Sequence, residues 1–287
     1  MSGTSKNLVW LASYPKSGNT WFRLFLNALF NNGKLDINHL STADTIFSSK
    51  SFFEEVSDLP ADLLLEEEVK RYLPLVFTDF AMTQQDDVFI KVHDAFQYSK
   101  DEQSIIPAVV TKCALCFIRN PLDLAGSLAN HYSLSMDEAI SMLNDPLYKL
   151  AKQDNRRYRR GQFQQDLFSW SGHVQSWLDV TEFPVLFLRY EDMLMNTFAV
   201  FKEALEFLQY TSFTDTEIGK AIEATGFKRL QEAERTDGFR EKLNNNYSFF
   251  RKGKAGGWKE ELTAEQVQKI RSVHHHLMQQ FGYHDNA

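Results

Sequence analysis

Apolar residues fall into short unbroken runs separated by longer stretches of helical spacing. Residues 9–13 form one such run, closed by the turn residues Tyr14-Pro15-Lys16-Ser17-Gly18-Asn19, and read as a buried strand. Behind the turn, Trp21, Phe22, Leu24, Phe25, Ala28, Leu29 and Phe30 recur at helix spacing until Asn31-Asn32-Gly33 stops the pattern. Further buried strands are expected at 88–92, 114–118 and 185–188, each a run of β-branched, Leu or aromatic residues bounded by polar or Pro signals. Helical patterns separate them, which predicts a mostly parallel central sheet flanked by helices on both faces.

Residues 34–75 carry Ser/Thr/Asp clusters and the acidic patch Glu66-Glu67-Glu68, and read as a partly helical insertion. Residues 143–170 are polar and basic, with Arg156, Arg157, Arg159 and Arg160, and read as surface helix or loop. Repeats, low-complexity tracts and Pro/Gly-rich linkers are absent, so a single α/β domain over residues 1–287 is expected.

Composition narrows the classes. In a chain of 287 residues, 43% hydrophobic and 14% aromatic content supplies a large core and excludes whole-chain disorder. The balance of 31 Lys and Arg against 38 Asp and Glu gives a net charge of −7, which argues against nucleic acid or an anionic membrane as partner. A local basic pocket remains open. No run approaches the roughly 18 apolar residues of a membrane span, and residues 8–11 are too short for a signal-peptide core. Two cysteines make no disulfide scaffold. A soluble cytoplasmic protein is expected.

Three segments carry candidate chemistry. The loop from Tyr14 to Trp21 joins a strand to a helix, where backbone N–H groups and the helix dipole favour an anion. Lys16 adds a charge there, and Ser17 and Thr20 add hydroxyls. Its Lys precedes Ser17-Gly18, whereas a standard P-loop places Lys after the second Gly. In the second segment, Arg119-Asn120-Pro121 ends a strand and opens a helix carrying Ser127, a pair that could clasp a second phosphate. The third, Arg251-Lys252-Gly253-Lys254-Ala255-Gly256-Gly257-Trp258-Lys259, mixes glycines with basic residues and suits a loop wrapped on a polyanion. Each segment alone is also explained by an ordinary solvated turn.

Together, in order and spacing, they resemble the cytosolic-type sulfotransferase family, which uses 3′-phosphoadenosine 5′-phosphosulfate. The first is similar to that family's 5′-phosphosulfate loop Y-P-K-S-G-x-T-W, the second to its 3′-phosphate motif R-N-P-x-D-x-x-x-S, the third to R-K-G-x-x-G-x-W-K. The resemblance runs from residue 14 to residue 259, with 34–85 and 130–180 carrying none of it. It implies a P-loop-like fold and a donor site of Lys16, Ser17, Gly18, Asn19, Thr20 and Trp21 for the 5′ side. Arg119, Ser127, Arg251, Lys252 and the Gly253 amide are implied for the 3′-phosphate. Lys91-Val92-His93 matches the family's Lys-x-His, which implies His93 as general base and Lys91 as a stabiliser of transition-state charge. Lys16 is implied to neutralise the leaving nucleotide, and Ser127 to hold Lys16 until an acceptor arrives. Tyr190-Glu191-Asp192 matches Tyr-Glu-Asp, and 225–230 echoes T-S-F-x-x-M with Gly for Ser and Leu for Met. Tyr190, Thr225 and Phe227 are thereby implied as adenine contacts.

The implied reaction moves a sulfuryl group to a hydroxyl or amine of a small molecule such as a phenol, alcohol or natural product, without a metal. Of the family's dimer pattern K-x-x-x-T-V-x-x-x-E, Lys259 and Thr263 are kept while Ala264 and Gln268 replace Val and Glu, so that dimer is not expected. Two other readings compete. A P-loop kinase of small molecules needs Mg²⁺ and a Walker-type order that this loop lacks. A non-catalytic nucleotide-binding protein is opposed by the joint presence of Lys16, Lys91, His93 and Ser127. Other features read as structure: Cys113 and Cys116 on a buried strand, His274-His275-His276 on a helix, the Arg156–Arg160 run as a solvated face, and His131 as a weaker rival to His93.

Overall fold

The computed structural model describes residues 6–41, 43–151, 161–243 and 247–283. In chain order it runs β1 (Leu8–Ser13), α1 (Asn19–Phe30), β2 (Thr45–Ile46), α2 (Lys50–Ser57), α3 (Glu66–Thr83), β3 (Val88–Val92) and β4 (Thr111–Ile118). Then follow α4 (Pro121–Tyr132), α5 (Met136–Asn144), β5 (Lys149–Leu150), β6 (Gln165–Asp166), α6 (Trp170–Leu178) and β7 (Val185–Arg189). The last third is helical: α7 (Tyr190–Met195), α8 (Thr197–Phe207), α9 (Asp215–Ala224), α10 (Phe227–Asp237), α11 (Trp258–Glu261) and α12 (Ala264–Gln280). Contacts gather these elements into two compact units, one made of Met1–Tyr14, Asp44–Cys116 and Pro146–Leu186, the other of Pro15–Ala43, Phe117–Asp145 and Phe187–Ala287.

The first unit holds the sheet, in the order β2-β3-β1-β4-β7; β4 and β7 begin here and run on covalently into the second. β1 and β3 pair in parallel with Leu8 opposite Val88 and Ala12 opposite Val92. The chain lays β2 and β3 on one side of β1 and then crosses to place β4 on the other. In α/β sheets generally, ligands bind beyond the carboxyl ends of the strands at such a reversal of strand order. All six residues of β1 are buried, as a strand covered on both faces requires. Trp10 anchors the core beneath it, donating Nε1–H to Thr111 Oγ1 at 2.9 Å and meeting the rings of Phe47 and Phe77 edge-on.

Several expectations shift. β4 starts at Thr111, three residues before the apolar run, because Thr111 accepts the Trp10 hydrogen bond and Lys112 is held by Asp87 at 2.6 Å. Residues 34–75 are less of an insertion than the sequence suggests: β2 extends the sheet by pairing Thr45 with Ile90, and Phe47 and Phe53 are buried. In the 143–170 stretch, Phe163, Gln165, Asp166, Leu167 and Trp170 are buried, and Gln165-Asp166 pairs with Lys149-Leu150. Arg156, Arg157, Arg159 and Arg160 lie outside the described residues. Among those described, no helix is long and apolar enough to cross a membrane.

The second unit packs around α1. Phe22 and Phe25 meet Phe201, and Phe22 also meets Phe117. Leu24 joins Ile37, Leu40, Leu230, Phe239 and Phe250 in a further core cluster.

A polar cluster lies buried in the first unit. Lys70 Nζ donates to Asp166 Oδ2 at 2.7 Å and Gln97 Nε2 to the same oxygen at 3.0 Å, while the Asp166 amide donates to Asp94 Oδ1 at 3.2 Å. Burial would raise the Asp166 carboxyl, but hydrogen bonds from Lys70, Gln97 and Lys149 outweigh it and hold it below its ordinary range. For Asp94, burial, with the negative Asp166 beside it, pushes the carboxyl up to about 8. The folded protein therefore keeps a proton there that the unfolded chain releases near 3.8. That contribution to stability is complete below the unfolded value and is lost as pH rises through about 8. Urea unfolding across this range should show the native protein losing stability relative to Asp94→Asn as pH rises, and levelling off above it. A pH-independent difference would contradict a protonated Asp94.

Candidate active site

The loop after β1 belongs to the second unit from Pro15 onward. Lys16 (φ 72) and Gly18 (φ 108) both sit in left-handed backbone, which turns the chain sharply into α1. Alternating conformations of this kind point successive N–H groups into one concavity. Glycine is required at 18 twice over: a Cβ there would adopt a strained φ and stand 3.0 Å from the Tyr190 ring. α1 has no side-chain cap at its N-terminus. Ser17 is fully buried and its Oγ has no hydrogen-bond partner. Asn19 is buried, Thr20 donates to Glu241 Oε2 at 3.1 Å, and Trp21 meets Tyr190 edge-on at 6.3 Å.

Arg119, at the end of β4, ties to this loop. Its Nη1 donates to the Lys16 carbonyl at 3.2 Å, and its guanidinium lies 4.3 Å from the centre of the Tyr190 ring. Arg119 Nε is buried without a hydrogen-bond partner. Asn120 caps α4 through its Oδ1, which accepts from the Leu122 amide, and Pro121 takes the first helical position, where no N–H is needed. Glu191 accepts from the Asn120 amide at 3.0 Å and from the Tyr283 hydroxyl at 3.0 Å. Ser127 stands half-buried on α4, one residue beyond Gly126.

The C-terminal basic loop is tied to α4 as well. Asp123 accepts from the Gly256 amide at 2.7 Å and the Trp258 amide at 3.0 Å. Glu261 takes Arg251 at 3.0 Å and Lys252 at 2.5 Å, and lies so close to α4 that a Cβ on Gly126 would stand 2.1 Å from its Oε2. Gly253 (φ 57) packs its backbone on the Phe227 ring, where a Cβ would stand 2.3 Å from Cδ2. Upstream, Glu234 accepts from the Phe249 and Phe250 amides at 2.7 and 2.9 Å and from Ser248 Oγ at 3.0 Å. Burial would raise its carboxyl, but these bonds and Lys242 hold it below the usual range. Phe249 is thereby fixed under Lys16, whose Nζ lies 3.4 Å from the ring centre.

Of the residues expected for the donor, the second unit therefore gathers the 16–21 loop, Arg119, Ser127, Tyr190, Phe227 and the 251–253 segment. Thr225 is also in this unit, fully buried, with its hydroxyl donating to the Ala221 carbonyl at 2.9 Å. Ser17 Oγ and Arg119 Nε, each buried without a hydrogen-bond partner, together with Lys16, Arg251 and Lys252, make a donor set that fits a polyanion. Sequence reasoning missed the carboxylates that assemble it. Asp123 stands in the R-N-P-x-D motif and Glu191 in Tyr-Glu-Asp, so both had a signal; Glu234 and Glu261 had none.

Lys91 and His93 belong to the first unit. Lys91 is half-buried on β3, opposite Leu11. His93 follows the strand and sets Nδ1 2.8 Å from the Ser13 carbonyl and 3.2 Å from Ser13 Oγ. A carbonyl can only accept, so Nδ1 carries a proton in this bond, and in the neutral form of the ring Nε2 is the basic nitrogen.

The remaining candidates are structural. Burial pushes the Cys113 thiol up to about 12 and raises that of Cys116 too, so neither is a thiolate. Burial takes His274 down to about 4, with Nε2 at 3.0 Å from Asn144 Oδ1. His131 Nδ1 is 2.9 Å from the Tyr247 hydroxyl. Among the described residues, no group of three or more His, Cys, Asp or Glu is placed to hold a metal ion.

Comparison with known proteins gives the family of the chain. The family model described as the sulfotransferase domain matches residues 6–282. The chain is 25% identical to cytosolic sulfotransferase 16 of Arabidopsis thaliana, over 96% of this chain and 78% of that protein. It is 26% identical to sulfotransferase 1A1 of Rattus norvegicus, over 91% and 80%, and 26% identical to flavonol 3-sulfotransferase of Flaveria bidentis, over 92% and 79%. Among solved structures it is similar to retinol dehydratase in complex with androsterone and the inactive cofactor PAP, with a TM-score of 0.61, 20% identity, and coverage of 96% and 81%. Mouse sulfotransferase SULT7A1 complexed with PAP gives a TM-score of 0.57, 20% identity, and coverage of 96% and 85%. At these identities the structures establish the fold.

If Asp123 clamps the basic loop, Asp123→Ala should speed hydrogen exchange at the Gly256 and Trp258 amides and cost about 1–3 kcal/mol of stability. Unchanged exchange at both amides would rule the clamp out.

Proposed function

The chain belongs to the sulfotransferase domain family, and from that premise we propose that it transfers a sulfuryl group from 3′-phosphoadenosine 5′-phosphosulfate to a hydroxyl or amine of a small molecule. The observation that carries the reading is the tethering of three distant segments within one unit. Arg119 reaches the Lys16 carbonyl, Lys16 reaches Phe249, and Asp123 holds the loop that follows Arg251. Residues 1–287 act as one sulfotransferase domain, a reading supported by the match over 6–282.

Each residue then has a task. Amides of the 16–21 loop, with Ser17, Thr20 and Lys16, receive the 5′ phosphosulfate, where the positive end of α1 favours negative charge. Arg119, Ser127, Arg251, Lys252 and the Gly253 amide receive the 3′-phosphate. Tyr190, Phe227 and Thr225 form the adenine side. In the transfer, the acceptor oxygen or nitrogen forms a bond to sulfur as the bond from sulfur to the bridging phosphate oxygen breaks. The acceptor proton passes to His93 Nε2. Lys16 offsets the charge that grows on the departing oxygen, and Lys91 steadies charge on the sulfuryl oxygens. Ser127 retains Lys16 between turnovers. Products are the sulfate ester or sulfamate and 3′,5′-bisphosphoadenosine.

Positioning and electrostatics are sufficient because the sulfuryl group carries less negative charge than a phosphoryl group. The acceptor is a phenol, alcohol or natural product, and the location is the cytoplasm, readings supported by the flavonol and cytosolic sulfotransferase relatives. A kinase is not favoured, since Lys16 precedes rather than follows the Ser17-Gly18 step, and whole-length relatives of this chain are sulfotransferases.

With labelled donor and a phenol panel, His93→Ala should lower turnover by roughly 10²–10⁴-fold, the usual contribution of a general base, while calorimetry shows bisphosphoadenosine still bound. Full turnover in that variant would remove His93 as the base. Calorimetry also tests the internal carboxylate: Glu261→Gln should tighten bisphosphoadenosine severalfold, because Arg251 and Lys252 no longer have to leave an anion to bind one. Equal or weaker affinity would mean that Glu261 positions the two cations for the ligand instead of competing with it.

A further inference from the structure

Thr20 and Arg23 stand three residues apart on α1, where one side chain can reach both. Glu241 does so. Its Oε2 accepts from the Thr20 hydroxyl at 3.1 Å, and its Oε1 takes Arg23 Nη1 at 2.6 Å. All three residues belong to the second unit. The Arg23 side chain is fully buried, and its Nε also donates to the Ala43 carbonyl at 2.8 Å. A buried guanidinium needs its counter-charge, so Arg23 keeps Glu241 in place whatever Thr20 does.

Sulfuryl transfer gives the same hydroxyl another task, to meet the 5′ phosphosulfate. It cannot serve both. A threonine hydroxyl carries one hydrogen, and ionised phosphate oxygens, like carboxylate oxygens, only accept. Any nucleotide that uses Thr20 must therefore take its hydrogen from Glu241. Hydrogen bonds to an ionised acceptor are about twice as strong as neutral ones. An anionic 5′ group can make good the bond to Glu241; a neutral 5′ hydroxyl cannot.

We propose that Glu241 is an internal competitor in the donor site: its carboxylate and the nucleotide's 5′ anion exchange the Thr20 hydroxyl between them. The inference rests on the sulfuryl-transfer reading and adds to it a carboxylate that no sequence motif marks. The exchange strands no buried charge, because Glu241 retains Arg23 when Thr20 leaves it. Each departing nucleotide also leaves Thr20 with an acceptor already in place, which favours product release. Glu241 thus loosens the grip on the 5′ side and leaves the 3′ side untouched.

Calorimetry on the full chain tests this, by direct titration of 3′,5′-bisphosphoadenosine and by displacement with adenosine 3′-phosphate, which has a hydroxyl in place of the 5′ phosphate. In Glu241→Gln the one amide oxygen faces Arg23, so the NH₂ faces Thr20 and the hydroxyl keeps its hydrogen for the ligand. That variant should bind the bisphosphate about threefold or more tighter and adenosine 3′-phosphate within about twofold of native. Made in a Thr20→Val background, the same change should tighten neither. A merely structural Glu241 would move both nucleotides together, and charge removal alone would tighten the bisphosphate in the Thr20→Val background as well. Either result, or no tightening at all, overturns the proposal. Should Glu241→Gln fail to fold, a crystal structure of the native protein with bisphosphoadenosine carries the test. Thr20 Oγ1 is then expected on a 5′-phosphate oxygen and off Glu241, and Thr20 still bonded to Glu241 would overturn the exchange. Absence of saturable bisphosphate heat in the native protein removes the sulfuryl-transfer reading and this inference with it, whereas native heat that Glu241→Gln leaves unchanged removes the competitor role alone.

Discussion

Cations brought close together repel one another, and the second unit is arranged around that repulsion. Its positive groups are offset in two ways, by ring faces and by carboxylates. Lys16 lies on the face of Phe249, Arg119 lies by the Tyr190 ring, Arg251 and Lys252 share Glu261, and the fully buried Arg23 is held by Glu241 at 2.6 Å. Ring faces attract a cation without competing for its hydrogen-bond donors. A carboxylate does compete, and Glu261 therefore sets how readily the 251–252 pair changes partner. A net charge of −7 over the whole chain is compatible with this local field because much of the acid is spent holding base in place.

The loops that carry these cations come from remote parts of the sequence, so something has to fix them relative to one another. Carboxylates accepting backbone amides do that. Asp123 fastens 256–258 to α4, Glu191 fastens Asn120 to α7 and to Tyr283, and Glu234 fastens 248–250 to α10. Each bond orders a backbone segment rather than a single side chain. Those segments therefore have little backbone freedom left to lose, which is preorganisation in the ordinary thermodynamic sense.

Recurring apolar runs made β1, β3 and β7 legible within a residue or so, although only β1 is buried throughout and β7 is mostly half-buried. β2 escaped because two residues carry no periodicity, and the first three residues of β4 escaped because Thr111 and Lys112 are polar positions satisfied by partners distant in sequence. Gln165 and Asp166 misled for the same reason: they read as surface, yet are buried by hydrogen bonds and by pairing with Lys70. The basic and Gly-rich segments could be picked out one at a time. What could not be read was the set of long-range pairs that joins them, such as Asp123 with Gly256 or Lys16 with Phe249. A pair interaction has no one-dimensional pattern unless one partner sits in a recognisable motif, as Asp123 and Glu191 do and Glu234 and Glu261 do not.

His93 shows how a side chain that follows a strand is oriented by a neighbouring strand rather than by its own surroundings. His93 is hydrogen-bonded to the carbonyl and hydroxyl of Ser13, the last residue of β1, and Lys16 follows three residues later through a turn whose backbone is held by a left-handed φ. A side chain bonded to a backbone carbonyl keeps its tautomer and its ring plane independently of what occupies the other nitrogen. The plane and tautomer of the His93 ring are thus set by β1 itself, the fully buried strand from which the Lys16 loop also springs. A change at Ser13 therefore acts on His93 through the strand rather than through the solvent side of the ring.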